Sequence, residues 1–341
     1  MKKNVWYAWL MAVVMMPAAV FAQKVGSTSM QFLENMPVAR ATALGDAYSV
    51  WASGAEALFW NPAGVATIDH PEISSTFTKW IFDTRQGALG YALPLGNSDA
   101  AGVQVQYVDF GEFLEASAVR PYINKETDPG LTGRTFHPFS YLVGVTYARN
   151  LTHRFSTGIS VKFAHESLYD GSMVMAQVSQ GVNEEVKTWA NGVMFDFGIH
   201  YNTGFHSVQI GASVQNFGGN VTYAKESSPV PLLFRWGIAA DLLGKDALLA
   251  SSDDYRIGLA FDLYQPNDYG QQEHVGVEYE YAGVFALRCG YKFNYDYQGL
   301  TVGGGVRQSI GGVQLSVDYS YGSMGTYLGS VHRISLGAGI P

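Results

Sequence analysis

The chain of 341 residues has one cysteine, Cys289. An internal disulfide framework is therefore excluded. Charged residues make up only 15% of the chain, and 29 acids against 21 bases leave a formal net charge of −8. That balance argues against a nucleic-acid partner, which needs a basic footprint. Long apolar runs are missing too. The one extended stretch, Val5 to Met16, falls short of the ~20 residues that a helix needs to span a bilayer. Catalytic signatures are lacking as well. There is no Gly-x-Ser-x-Gly elbow, no phosphate loop and no His-Glu-x-x-His helix. The eight histidines are scattered. His165 stands beside Glu166, and His200 lies near Asp196 along one strand pattern, but such pairs are common by chance. The expectation is a protein that is not an enzyme and carries no cofactor and no metal. Asp262 to Tyr269 reads as an acidic turn, with loose calcium binding as its alternative.

The first residues indicate export. Met1-Lys2-Lys3 gives a positive start, the apolar run follows, and Val20 and Ala22 occupy the −3 and −1 positions of a signal-peptide cleavage site. Residues 1–22 are the expected signal peptide, with cleavage near Ala22.

Glycine and aromatic residues are abundant, with 39 Gly, 21 Tyr and 19 Phe. After Pro71 one texture repeats. Segments of about ten residues alternate apolar and polar, and Gly/Asn/Asp/Ser clusters separate them. Val313, Leu315, Val317, Tyr319 and Tyr321 alternate with Gln314, Ser316, Asp318 and Ser320. Val193, Phe195, Phe197, Ile199 and Tyr201 do the same. Fourteen strands are expected, near 72–80, 86–95, 101–110, 139–149, 154–165, 190–201, 207–217, 232–242, 254–263, 273–281, 285–294, 299–308, 312–321 and 330–339. Their length suits tilted membrane strands better than a β-sandwich. Long connections at 111–138, 166–189 and 218–231 alternate with short ones at 201–205, 282–284 and 310–312, the asymmetry of an outer-membrane barrel. The expected fold is all-β, a transmembrane antiparallel barrel over residues 71–341, lying in outer-membrane lipid. Aromatics such as Tyr279, Tyr281, Tyr291, Phe293 and Trp236 read as membrane girdle, and Cys289 as a buried or lipid-facing hydrophobe. The opposite face carries Lys162, Asp196, Arg235, Arg256, Glu278, Glu280, Arg288, Arg307 and Asp318, charges of both signs that face the lumen. Asp241, Asp262, Lys292 and Arg333 share that face.

Residues 23–70 have a different texture. Ala39 to Leu44 and Gly54 to Phe59 are short helical candidates, and the Asn61-Pro62 and Ala63-Gly64 steps turn the chain toward the first strand. With no room in the wall, this segment is expected to plug the lumen. Arg40 and Asp46 are candidates to pair with lumen charges, and Gly45 and Gly64 suit tight packing or turns.

The run "ARATALGDAYSVWASGAEALFWNPAGVATI" resembles the N-terminal signature of the PorV/PorQ-type outer-membrane proteins, relatives of the FadL-like barrel of fourteen strands with an N-terminal hatch. Arg40, Gly45, Asp46, Trp60, Asn61, Pro62 and Gly64 fall in this plug segment, and "SVHRISLGAGI" carries the likeness to the end of the chain. The chain departs from the usual barrel pattern by ending Gly339-Ile340-Pro341 and not on an aromatic residue. The resemblance implies a component of type IX-like secretion that docks a translocon or exported cargo proteins. The FadL relationship implies an alternative, transport of a small hydrophobic ligand. That alternative needs an apolar pocket near the plug, drawn from Phe32, Leu33, Trp51 and Trp60, and a kink in the wall such as Gly304 would allow.

Overall fold

The computed structural model describes residues 25–116, 130–170, 173–179 and 182–340. The signal peptide and its cleavage near Ala22 lie outside the described residues, as do parts of the loops 111–138 and 166–189.

Fourteen long strands close one antiparallel barrel. They are β1 (Glu72–Lys79), β2 (Arg85–Pro94), β3 (Asp99–Asp109), β4 (Phe139–Thr152), β5 (Phe155–Ser167), β6 (Trp189–Asn202) and β7 (Gln209–Gly218). β8 (Leu233–Gly244), β9 (Tyr255–Pro266), β10 (Gln272–Tyr281), β11 (Phe285–Phe293), β12 (Leu300–Ile310), β13 (Val313–Ser323) and β14 (Ser330–Gly339) complete it. Each strand pairs with its neighbours in sequence, and β1 meets β14 from Glu72↔Gly339 to Lys79↔His332. The ladder is therefore continuous and has no free edge, which is what lets a sheet stand in lipid. Among the described residues no helix is long and apolar enough to cross a membrane.

The sequence alternation becomes the inside–outside alternation of the wall. Phe195, Phe197, Ile199 and Tyr201 are exposed outward, while Asp196 between them is buried in the lumen. Cys289 is exposed on the outward face of β11. Short turns gather at one end of the barrel, and hairpins project from the other: Phe113–Ala116 with Leu131–Phe136, Met173–Ser179 with Val182–Lys187, and Val221–Tyr223 with Glu226–Ser228. In outer-membrane barrels the short-turn end faces the periplasm and the long-loop end the outside, and the two ends are called periplasmic and external on that rule. The one long periplasmic turn, after β8, holds a short strand of its own, Ala250–Ser251, parallel to Leu243–Gly244.

Gly304 does not kink the wall. β12 pairs with β11 and β13 through it without a shift of register, because an outward glycine leaves the ladder bonds intact. The irregularities lie elsewhere. Opposite Asp196, β7 carries an extra residue, with Asn216 at φ +61°, a β-bulge. One-residue shifts also occur between β8 and β9 and between β4 and β5.

The segment before β1 fills the lumen. It holds α1 (Ala39–Ala43), α2 (Ala57–Trp60) and 3-10 turns at Gln31–Glu34, Gly54–Glu56 and Pro62–Thr67. Leu44, Tyr48, Leu58 and Trp60 form the centre of a core made mostly by the plug itself. Glycines on the inner face of the wall make room for it. A Cβ at Gly198 would stand 2.1 Å from Asn61 Oδ1, one at Gly158 2.4 Å from the Pro62 carbonyl carbon, and one at Gly290 2.1 Å from the Gly45 nitrogen.

Candidate functional site

The tryptophan–asparagine–proline motif is the anchor of the plug. Trp60 is fully buried, and its Nε1 donates to the Pro37 carbonyl at 3.0 Å. Asn61 caps the following turn, its Oδ1 accepting from the Ala63 N–H. Pro62 takes the first helical position, where its missing N–H costs nothing. The Asn61 Nδ2 donates to the carbonyls of Ser49 at 2.8 Å and Ile199 at 3.1 Å, tying plug to wall. Gly64 is obligatory because a Cβ would meet the Ala52 carbonyl oxygen at 1.9 Å. Gly45 and Asp46, both at φ +66°, end α1 in the left-handed region. From the wall side, Gln104 and Gln215 donate to the carbonyls of Leu58 and Phe59 at 2.8 Å each. The Asp262 carboxylate accepts from the backbone N–H groups of Tyr48 and Ser49.

The lumen charges form two groups. Lys162 pairs with Asp196 at 2.7 Å, beside the bulge at Asn216. A longer chain runs across β8 to β13. Arg307 meets Glu280 and Arg256 meets Asp241, Glu280 and Glu278. Arg288 then meets Glu278 at 2.6 Å and Asp318 at 2.5 Å. The plug joins at two points. Arg40 reaches Glu278 through both Nε (3.0 Å) and Nη2 (2.9 Å), and Asp46 pairs with Lys292. Burial pushes the Asp46 carboxyl up, but the Lys292 ammonium holds it below the usual range. Glu56, bonded by the Tyr48 hydroxyl, is raised by burial and by nearby Asp318.

The plug leaves a cavity on each face. The external one has a volume of about 480 Å³. Trp80, Phe82, Phe110, Tyr269, Tyr295 and Met324 form its apolar walls. Its floor is charged, with Glu34, Asp46, Arg235, Lys292 and Arg333. Arg235 is only 2% exposed and lies between two rings, 4.9 Å from the centroid of Trp60 and 4.1 Å from that of Tyr264. Its Nε and Nη1 have no hydrogen-bond partner among the described residues. Glu34 is raised to about 7, by burial first and by the Asp268 carboxylate second. The periplasmic cavity, about 600 Å³, is polar, with Arg40, Glu56, Glu72, Arg307 and Asp318 around it.

The expected apolar pocket is thus made differently. Of its four residues only Phe32 lines the external cavity. Leu33 is packed into the core with Met30 and Leu142, Trp60 is sealed inside the plug, and Trp51 lies under Arg256 at 5.1 Å. The acidic turn also has another role. Asp268 is buried and accepts from the Thr28 hydroxyl at 2.7 Å and Gln31 at 3.0 Å, holding the start of the plug. The histidine–acid pairs are not brought together. His165 packs among Phe139, Tyr141 and Trp189, while Glu166 bonds Ser140 and Tyr223 inside; His200 bonds Gln209. Among the described residues no group of three or more His, Cys, Asp or Glu could hold a metal ion.

No protein-family model matches the chain, and no match to a curated protein is found. Solved structures do match. The toluene transporter TodX of Pseudomonas putida is 14% identical, with a TM-score of 0.55 over 87% of this chain and 95% of TodX. The monoaromatic hydrocarbon channel CymD is 10% identical, with a TM-score of 0.53 over 89% of this chain and 96% of CymD. A Pseudomonas aeruginosa FadL homologue is 12% identical, with a TM-score of 0.49 over 89% and 98%. The likeness is one of fold: a closed, FadL-like barrel of fourteen strands with short helices at its N-terminal end.

Proposed function

We propose that the protein takes up small, largely apolar compounds across the outer membrane, without enzymatic chemistry and without a cofactor. The observation that carries this is the aromatic-walled cavity at the hairpin end, set directly above the plug. A cavity of this kind, apolar with a few convergent polar groups, is the usual form of a small-molecule site. The fold shared with hydrocarbon channels supports the same reading. The buried Arg235 and Arg333 on its floor favour a ligand with one polar or anionic end.

Trp80 lines the cavity and serves as the probe. Titration of the purified protein with toluene and with benzoate is expected to give saturable quenching that Trp80→Phe removes, and cells carrying the protein are expected to accumulate labelled toluene faster than cells without it. Absence of both effects overturns the proposal. The finer family reading, a PorV/PorQ-like docking role in secretion, rests on the sequence resemblance, of which the N-terminal run is the most specific part. Recovery of a large translocon subunit or exported cargo by cross-linking in the native membrane, with no ligand bound, favours it instead.

A further inference from the structure

The two cavities lie on opposite faces of the plug, yet both are bounded by the same seam of the wall, where β1 meets β14. Trp80 and Arg333 belong to the external cavity, Ser74 and Gly337 to the periplasmic one. In the register of the seam, Thr78 stands opposite Arg333, Thr76 opposite Ser335 and Ser74 opposite Gly337. Between the cavities β14 therefore presents one inward residue, Ser335, and β1 two, Thr76 and Thr78. The four steps of strand from Arg333 to Gly337 cover about 13 Å.

The plug is equally thin at this point. Met36 lines the external cavity and Arg40 the periplasmic one, so Pro37, Val38 and Ala39 form a strap between them. The strap itself meets the seam through uncharged groups alone: the Ala39 N–H donates to Ser335 Oγ at 2.8 Å, and Thr76 Oγ1 lies 2.7 Å from the same oxygen, while the charged contacts of the seam, Arg333 to Asn35 Oδ1 at 3.0 Å and the Ala55 N–H to Glu72 at 3.1 Å, fall outside it. The hydroxyls of Thr78 above and Ser74 below are buried without a partner among the described residues. Val38 sits at φ +82°, ψ 107°, which a β-branched residue rarely adopts. Packing, not backbone preference, keeps the strap where it is. Elsewhere the plug is held far more firmly. Toward β5 and β6 it touches wall glycines with no space to spare, and toward β10 and β11 it is held by the Arg40–Glu278 and Asp46–Lys292 pairs.

We infer that solute crosses the plug at the β1–β14 seam, when the Pro37–Ala39 strap leaves Ser335 and the Thr76–Ser335 layer becomes the waist of a hydroxyl-lined path. The inference rests on the transport reading above. The Trp60–Pro37 bond opens with the strap, while Asn61, Pro62 and the ion-pair chain stay in place during passage, so the barrel keeps its seal on the remaining perimeter.

The test combines two variants in a Cys289→Ala background. Ser335→Phe fills the waist; labelled toluene uptake is expected to fall at least tenfold, while quenching of Trp80 by toluene stays as in the parent. Thr76→Cys reports opening; its reaction with a small methanethiosulfonate reagent is expected to speed up at least fivefold in the presence of toluene, while Ser156→Cys on the β5 wall stays unreactive. Unchanged uptake by Ser335→Phe, or labelling at Ser156→Cys and none at Thr76→Cys, overturns the route. Should Ser335→Phe fail to fold, the Thr76→Cys labelling decides alone. Loss of toluene binding by the parent protein would instead overturn the transport reading, so the two failures are distinguishable.

Discussion

Glu278 receives three guanidinium groups, Arg40 from the plug, Arg256 from β9 and Arg288 from β11, and its side chain is fully buried. Removing one partner of a buried ion pair leaves an uncompensated charge and costs roughly 3–5 kcal/mol. Glu278→Gln takes a carboxylate from three cations at once and leaves Arg40 with none among the described residues, since Arg256 keeps Asp241 and Glu280 and Arg288 keeps Asp318, whereas Arg40→Gln leaves Glu278 with two partners. Thermal or urea unfolding in detergent is expected to show the larger loss for Glu278→Gln; equal losses would mean that the network does not act through this hub. Glu34 sets a pH dependence. Its folded value of about 7 lies above the ordinary 4.5, so the folded chain holds a proton that the unfolded chain releases. Stability is then fully present below pH 4.5, declines as pH rises through 7, and is level above about pH 8, with a total loss of at most roughly 3 kcal/mol. Glu34→Gln is expected to remove that slope. The charges of the lumen row were legible in the sequence because each occupies the polar phase of an alternating strand. Their partners were not. Nothing in the spacing of Arg40 and Glu278, or of Thr28 and Asp268, says that they meet, since those contacts exist only once the plug is inside.

At the scale of elements, the strands follow from period-2 alternation, and the ends of β1, β2 and β14 fall within a residue of the expected positions. The hairpins beyond the wall were missed because short paired segments in loops carry no inside–outside alternation. The glycines of the wall look alike in the sequence, but on the inner face many are clearances for the plug. This distinction is invisible without knowing what stands opposite each one. It makes a direct prediction. Gly198→Val places side-chain atoms where Asn61 and Pro62 lie, and overpacking of this kind costs about 1–3 kcal/mol or displaces the neighbour. Because Asn61 is the tie between plug and β6, the expected outcome is a loosened plug. Proteoliposomes with the variant should swell in small sugars while those with the parent do not; an equally tight variant would show that the seal does not depend on this contact.

For the whole molecule, alternation and loop asymmetry specified a closed barrel, the different texture of residues 23–70 specified its plug, and the shape of the plug decided everything finer. The external cavity is built from turn residues such as Phe82, Tyr269 and Tyr295, which lie outside the periodic strands and so gave no signal of their own. Its floor combines α1's flank, β8, β11 and β14, four regions far apart in the chain. The aromatic walls and the cationic floor therefore come from different parts of the sequence and meet only through closure of the sheet.

That closure also governs assembly. The β1–β14 ladder joins residues more than 250 positions apart, Glu72 with Gly339 and Lys79 with His332. Contacts of such separation must bear the entropy of a very large loop before they return any energy, and chains dominated by them fold slowly. Residues 25–71 leave the synthesis machinery before any strand, yet their partners include Glu278, Lys292, Thr301 and Ser335 near the far end. The plug is therefore made before most of the wall that holds it, and its last ties, to Thr301 and Ser335, form only when the final strands dock.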